Sequence, residues 1–510
     1  MLSCYAAVAI VVAGALLTSH GRHGLAISLT QSLRSAWERL SQRLRTREGA
    51  LVAALLVGAA ALRLPLMTFH GYYADLATYV RWGDIANQGL STLYSSSTSV
   101  TGGGPGRPGG FGAFPVMAIN YPPGTPYLFG ALVYLYNHLL QPVYQISLSA
   151  LVQQDGPGPF IAKLPLVLAD LAMIALLYWQ ARKRQSMRFA FVAAASFALS
   201  PALLYNGVIW GQTDGFVALP LLVALFAVIE ERYILGGVSL ALAVLIKPQP
   251  VVFVPLFLLY IWRWAGRERF VRFTAAGLVT TLVVALPVLI PNFQAPDMIH
   301  NMQAASYNDN LSLSSDAFNF WWLIGRGKDA IGSTFFGVRS GLVGDALFGV
   351  VLLLCGALIW RRRDPATLAL SLAVALFGFF MFMGGQHERY LFLFVPLALA
   401  SVILARRDRM VELIALYLAG TALCFLNMLV GVGGGYFAGG QIIPFASLPA
   451  LSAYIAANFT PLSETLAFLH LIAFLYALSV MLGQWVGPPA PAAPSIASRA
   501  HDSVIANQVG

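Results

Sequence analysis

Residues 70–82 read His-Gly-Tyr-Tyr-Ala-Asp-Leu-Ala-Thr-Tyr-Val-Arg-Trp and follow directly on a long apolar run. The stretch offers a carboxylate (Asp75), an imidazole (His70), a guanidinium (Arg81) and the rings of Tyr72, Tyr73, Tyr79 and Trp82. Asp75 can act as a base in a cavity between apolar helices. Four more polar groups interrupt apolar sequence. They are residues 120–126, with Asn120 and Tyr121; residues 205–215, with Trp210, Gln212 and Asp214; Lys247-Pro248-Gln249-Pro250; and Gln386-His387-Glu388-Arg389-Tyr390. Ionisable side chains in or beside membrane spans are costly and usually functional. Each also has a plainer reading. Lys247 at a span end can snorkel to the interface, and His387-Glu388-Arg389 can form a local ion pair. Asp214, between Thr213 and Gly215, can cap the next helix, and Asp84 reads as a surface or capping carboxylate.

The elements that must position these groups are membrane spans. Of the 510 residues 58% are hydrophobic and only 10% charged, against about 25% charged in soluble domains. The mean hydropathy is +0.72, so the chain is an all-α polytopic membrane protein. Apolar segments at about 50–67, 123–140, 159–180, 189–205, 215–230, 234–248, 250–264, 273–291, 341–360, 366–384, 390–405, 411–430 and 464–484 predict thirteen spans. Residues 5–18 predict a short fourteenth, for a bundle of 13–14 helices. Alternating them puts 22 of the 31 Lys and Arg on one side, including Arg182–Arg188, Arg263–Arg272 and Arg361–Arg363. This asymmetry marks the cytoplasmic side and accounts for the net charge of +10 without nucleic acid. The polar groups named above then fall on the outer face. Residues 1–48 read as a short apolar segment and a basic interfacial helix, 49–485 as the transmembrane domain and 486–510 as a disordered cytoplasmic tail. Two large outer loops are expected, at 68–122 and 292–340. Tyr72, Leu76, Tyr79 and Trp82 recur at helical spacing, which predicts an amphipathic helix at the membrane surface. The Gly/Ser/Pro-rich stretch 95–115 cannot pack a core. Cys4, Cys355 and Cys424 show neither disulfide nor metal spacing.

The order of these motifs resembles the GT-C superfamily of integral-membrane glycosyltransferases. An acidic residue follows the first long span, then come Tyr121-Pro122-Pro123, Trp210-Gly211-Gln212-Thr213-Asp214, Lys247-Pro248-Gln249 and His387-Glu388-Arg389-Tyr390. The likeness covers residues 50–405. It is nearest to bacterial proteins similar to GPI mannosyltransferases and to dolichyl-phosphate-glucose-dependent glucosyltransferases. There is one departure: Tyr72 stands where the glucosyltransferases have their acid, so the carry-over falls on Asp75 as the nearest carboxylate.

The resemblance implies inverting transfer of one hexose, mannose or glucose, from a polyprenyl-phosphate sugar to a lipid-linked or cell-envelope glycan. The reaction would take place on the outer face of the cell membrane. It implies Asp75 as the base and Lys247, His387 and Arg389 as the groups that meet the donor phosphate. Tyr73, Arg81, Tyr121, Trp210, Gln212, Asp214, Gln249 and Glu388 are expected to line the substrate site. These residue types suit the chemistry. A carboxylate takes the acceptor hydroxyl proton, cations stabilise the departing phosphate, and a single carboxylate suffices, unlike the pair in glycoside hydrolysis. The partners are the lipid-linked donor, a glycan or lipid acceptor and membrane lipid. No cofactor is expected, with a divalent cation at Asp75 or Asp214 left open. The competing reading is a transporter or flippase for polyprenyl-linked sugars. Transporters commonly carry internal repeats, which are not evident here.

Overall fold

Each of the thirteen apolar segments between residues 50 and 484 lies on a helix in the computed structural model. The structure describes residues 46–71, 73–95, 118–290, 293–306, 308–436 and 449–486. The expectations for 1–45, for most of the Gly-rich stretch 95–115 and for the tail after 486 fall outside these residues. The helices are α1 (Arg47–Leu66), α2 (Tyr73–Gln88), α3 (Gly124–Leu139), α4 (Pro157–Arg182), α5 (Met187–Ala198), α6 (Asp214–Ile229), α7 (Tyr233–Ile246), α8 (Val254–Trp264), α9 (Arg267–Leu289), α10 (Ala295–Ser306), α11 (Ser340–Arg361), α12 (Pro365–Phe382), α13 (Phe394–Leu404), α14 (Met410–Val430) and α15 (Phe459–Val486). Local sequence sets several starts. Thr46, Ser186 and Asp364 each accept a backbone N–H of the first turn of α1, α5 and α12, as N-cap side chains do.

Seven of these helices are long and apolar enough to cross a membrane alone, and an eighth span forms if α5 and the segment Pro201–Trp210 are joined across their 40° bend. The others fall short. α6, α7 and α13 have 16, 14 and 11 residues, or about 17–24 Å at 1.5 Å per residue, against a hydrocarbon core of about 30 Å. Their shortness has a cause. They are largely buried in the bundle, and each stops at one of the polar turns noted in the sequence. Irregular backbone at membrane depth is tolerated where protein covers it or where it lines a cavity. Pro248 shows how such a stop is made. The residue before a proline is driven out of the helical region, and Lys247 sits at φ −150°, ψ 141°, ending α7.

The basic groups assigned to one side do meet at one end of the bundle. Arg182 binds Glu48 at 2.8 Å and Lys183 binds Glu230 at 2.6 Å, while Arg269 and Arg363 flank Glu231 at 3.2 and 3.7 Å. The starts of α6 and α13 and the ends of α7 and α12 gather at the other end. There a small lattice forms: β1 (Ser314–Ser315) pairs in parallel with β4 (Gln386–His387), and β2 (Thr334–Phe335) pairs antiparallel with β3 (Val338–Arg339).

α2 is the helix expected after α1, but its aromatic face has a different role. Leu76, Tyr79, Val80 and Trp82 are buried inside the protein. Tyr79 and Trp82 pack on Tyr121, and Tyr79 also packs on Phe129 of α3. These rings therefore neither anchor at a lipid interface nor lie open to a sugar. They clamp α2, and with it Asp75, onto the Tyr-Pro-Pro turn.

Candidate active site

Asp75 lies in the first turn of α2 and is held from across the bundle. Its Oδ2 accepts from Trp210 Nε1 at 3.0 Å and from Gln212 Nε2 at 2.5 Å. Gln212 is itself oriented, since Tyr79 Oη donates to its Oε1 at 2.9 Å. Among the described residues no group donates to Asp75 Oδ1. One carboxylate oxygen is thus fixed and the other is left to take a proton.

The backbone carrying Trp210 and Gln212 is irregular. Leu204–Trp210 is a π-helical turn that ends at Gly211, at φ +90°. Irregular turns of this kind are frequent at functional sites. Two contacts lock it to the approach to α2. Gly71, at φ +59°, packs so closely that a Cβ would run into the carbonyl oxygens of Ile209 and Trp210. Lys163, wholly buried on α4, donates to Phe69 O at 2.6 Å and to Ile209 O at 2.7 Å. Lys163 is one of the nine Lys and Arg that alternating the spans leaves on the outer face; in the structure it ties together the two chain segments that present Asp75 and Trp210. Lys163→Met would leave two buried carbonyls without their donor, at about 1–3 kcal/mol per unsatisfied group. We expect a lower melting temperature in detergent and slower turnover at unchanged KM, because the substituted residue touches no substrate.

Arg389 stands on the other surface of the same indole. Its Cζ lies 5.2 Å from the centre of the Trp210 ring, within cation–π range. Asp75 on the indole N–H edge and Arg389 over its face are thus separated by about the width of one side chain. Arg389 Nη1 also donates to Glu388 Oε1 at 2.7 Å, so the local ion pair weighed in the sequence does form. Burial pushes the Glu388 carboxyl up, but the neighbouring Arg389 guanidinium and His387 outweigh it and hold its pKa down at about 2. His387 Nδ1 stands 3.7 Å from Glu388 Oε2, near enough for charge but too far for a hydrogen bond.

Lys247 and Asp214 form the second ion pair, at 2.6 Å, with both side chains almost fully buried. The lysine does not snorkel, and the aspartate does not cap α6. Lys247 Nζ lies over the rings of Tyr390 (5.1 Å) and Tyr121 (5.6 Å), and Asn206 donates to Asp214 Oδ2 at 3.1 Å. The Tyr-Pro-Pro-Gly turn is seated on the end of α7 just before Lys247, with Thr125 Oγ1 donating to Ile246 O at 2.7 Å.

These contacts join Asp75, Tyr121, Trp210, Gln212, Asp214, Lys247, Glu388 and Arg389 into one cluster, with His387 beside it against Tyr390. Not every candidate is there. Arg81 instead faces Asp84 on its own helix at 3.8 Å. Gln249 is half-buried after the Lys247 break and makes no hydrogen bond to the cluster among the described residues, and the side chain of Tyr73 falls outside the described residues. Buried polar atoms without a partner among the described residues concentrate here: Asn120 Oδ1, Asn206 Oδ1, Thr213 Oγ1, Gln386 Oε1, Arg389 Nε. Such atoms are rare in folded proteins and ask for an explanation. A site that binds a many-hydroxyl, anionic molecule supplies one. Among the described residues no three His, Cys, Asp or Glu side chains gather as metal ligands.

Residues 159–384 match the model of glycosyltransferase family 87. The match supports a membrane-bound glycosyltransferase, without singling out the mannosyltransferase-like or glucosyltransferase-like groups. It spans a little under half of the chain. It includes Lys163, Trp210, Gln212, Asp214 and Lys247, begins after Asp75 and stops just before Gln386. A search of curated proteins found no match.

Four contributors were missed in the sequence. Tyr79 and Tyr390 lie inside the quoted motifs, Tyr79 as part of the face expected at the membrane surface and Tyr390 with no role assigned. Asn427 sits alone in apolar α14. It joins this small lattice of strands to the site by donating to Asp316 O (2.9 Å) and Glu388 O (3.1 Å) while accepting from Phe318 N (2.9 Å). The fourth is Arg63, fully buried on α1, which faces Asp170 of α4 at 3.4 Å and donates to Ala59 O and Ala198 O. The available signal was a lone polar residue within an apolar run.

Proposed function

We propose that the protein is an inverting glycosyltransferase that moves one hexose, mannose or glucose, from a polyprenyl-phosphate sugar to a lipid-linked or cell-envelope glycan. The reaction takes place on the extracytoplasmic side of the cell membrane. The observation that carries this reading is the shared indole, with Asp75 on one edge of Trp210 and Arg389 over its face. In the reaction the acceptor hydroxyl gives its proton to Asp75 Oδ1 as its oxygen bonds to the sugar's anomeric carbon. The bond from that carbon to the phosphate oxygen breaks, and its electron pair leaves with the phosphate. Arg389, through the unpartnered Nε, and Lys247 stabilise the charge that develops there. Trp210 and Gln212 orient the base and face the sugar.

The charge balance favours a lipid monophosphate donor. Both cations already carry a counter-ion, Glu388 for Arg389 and Asp214 for Lys247. Counting Asp75 as well, three carboxylates face these two cations, so the site has no surplus positive charge. A polyprenyl-phosphate sugar is a phosphodiester with a single negative charge and suits such a site better than a doubly charged nucleotide sugar. A lipid tail also gives a reason for the chemistry to sit between membrane helices.

The test is transfer in proteoliposomes given radiolabelled polyprenyl-phosphate mannose, polyprenyl-phosphate glucose or the matching nucleotide sugars. Label is expected to pass from one of the two lipid donors into a larger lipid or polymer. Label moving from the nucleotide sugar alone would reject the donor. Lipid donor crossing the bilayer without losing its sugar would favour the transporter.

A further inference from the structure

Just before α11 the chain turns through a two-residue hairpin. Phe335 pairs with Val338, leaving Phe336 and Gly337 at the tip with φ of +50° and +78°. Positive φ at both central residues defines the turn for which Asn-Gly or Asp-Gly is the ordinary choice. Phenylalanine is strained there, because its Cβ crowds the backbone in the left-handed region. Its ring also gains little from the protein: it stands 4.6 Å from that of Phe335 and is 92% exposed. In water this position would hold a polar residue on both counts.

The hairpin's location suggests what compensates. Both strands pack on the first turns of α11, and Phe335 lies in the small apolar cluster with Val343 of that helix. α11 begins at Ser340, directly after β3, and is one of the helices long and apolar enough to cross the bilayer. Val338 and Leu342 beside the tip are 49% and 55% exposed. They continue the strip from Phe336 onto the outward flank of the span. An apolar tip folded along the outside of a membrane helix faces acyl chains.

We propose that the Phe336–Gly337 tip inserts into the lipid leaflet at the active-site end of the bundle, and that the bilayer is the partner of this surface. The insertion bears on the site through backbone. Leu311 O accepts from Ile331 N (2.8 Å), Ser312 O from Gly385 N (3.2 Å), and Ser314–Ser315 run alongside Gln386–His387. A tip fixed in the leaflet therefore sets the height of His387, Glu388 and Arg389 relative to the headgroup plane, where a lipid phosphate lies. The insertion itself rests on the membrane fold and does not depend on the identity of the sugar donor.

The test uses the full chain in liposomes containing a phospholipid with a photoactivatable diazirine near the glycerol end of one acyl chain. Trypsin cuts after Lys328 and Arg339, so the hairpin is released as Asp329–Arg339, apart from the spans. After illumination this peptide is expected to carry acyl adducts centred on Phe336. Phe336→Asn suits the turn and is expected to lower them about tenfold, the scale set by transferring an aromatic ring out of water. Labelling of α11 should be unchanged. A labelled α11 beside an unlabelled Asp329–Arg339, or equal labelling of the hairpin in Phe336→Asn, would overturn the proposal.

Discussion

Asp75→Asn is expected to lower sugar transfer by about 10²–10⁴-fold, the usual contribution of a positioned general base, with no change in melting temperature. The geometry makes this substitution unusually clean. Trp210 Nε1 and Gln212 Nε2 both donate to the same oxygen, Oδ2. An asparagine can present its amide oxygen to both donors, so the clamp survives while basicity is lost. The measurement is the initial rate of label transfer at saturating donor, read beside thermal unfolding in detergent. A fall in rate with an equal fall in stability would make Asp75 a structural acceptor for Trp210 and Gln212 only. Full activity would move the base elsewhere. Neither rival carboxylate is as well prepared, because Asp214 is committed to Lys247 at 2.6 Å and Asp84 faces Arg81 at 3.8 Å.

The helices could be read from the sequence because a long apolar run has few alternatives in a bilayer. The breaks were readable from local chemistry, since Pro248 drives the residue before it out of the helical region and Gly211 tolerates the positive φ of a turn that other residues avoid. The gathering of Asp75, Trp210, Lys247 and Arg389 was also foreseeable, because ionisable and polar residues stranded at span ends must find one another. What could not be read is which surface a helical face meets. The spacing of Leu76, Tyr79 and Trp82 shows that they share a face of α2, but spacing alone does not distinguish lipid from protein on the other side. Counter-ions posed the same problem. Lys247 could equally have snorkelled, and only the packing of α6 against α7 brings Asp214 to it. Lys163 bonds to the backbone carbonyls of Phe69 and Ile209, and Arg63 to that of Ala198 as well as Ala59 one turn back on its own helix, and carbonyls leave no mark in a sequence. The lattice of residues 308–340 is short strands held by turns, with no hydrophobic period to announce it.

The Lys247–Asp214 pair carries the second large effect, and its result decides what the lysine is for. Removing one partner of a buried ion pair strands the other charge, at about 3–5 kcal/mol. Lys247→Met is therefore expected to lower the melting temperature sharply and to abolish transfer. That result alone does not separate a structural salt bridge from a phosphate ligand. The double variant Lys247→Met with Asp214→Leu does. Replacing both charges with apolar groups of similar size is often neutral or even stabilising, so thermal stability should return close to that of the wild type. Asn206, which donates to Asp214, keeps a smaller deficit in place by losing its acceptor. If Lys247 meets the donor phosphate, activity stays lost in the stable double variant, because a methionine cannot compensate charge on the leaving oxygen. If the pair serves only to pin α6 to α7, activity returns with stability, and Arg389 over Trp210 is left as the principal cation for the phosphate.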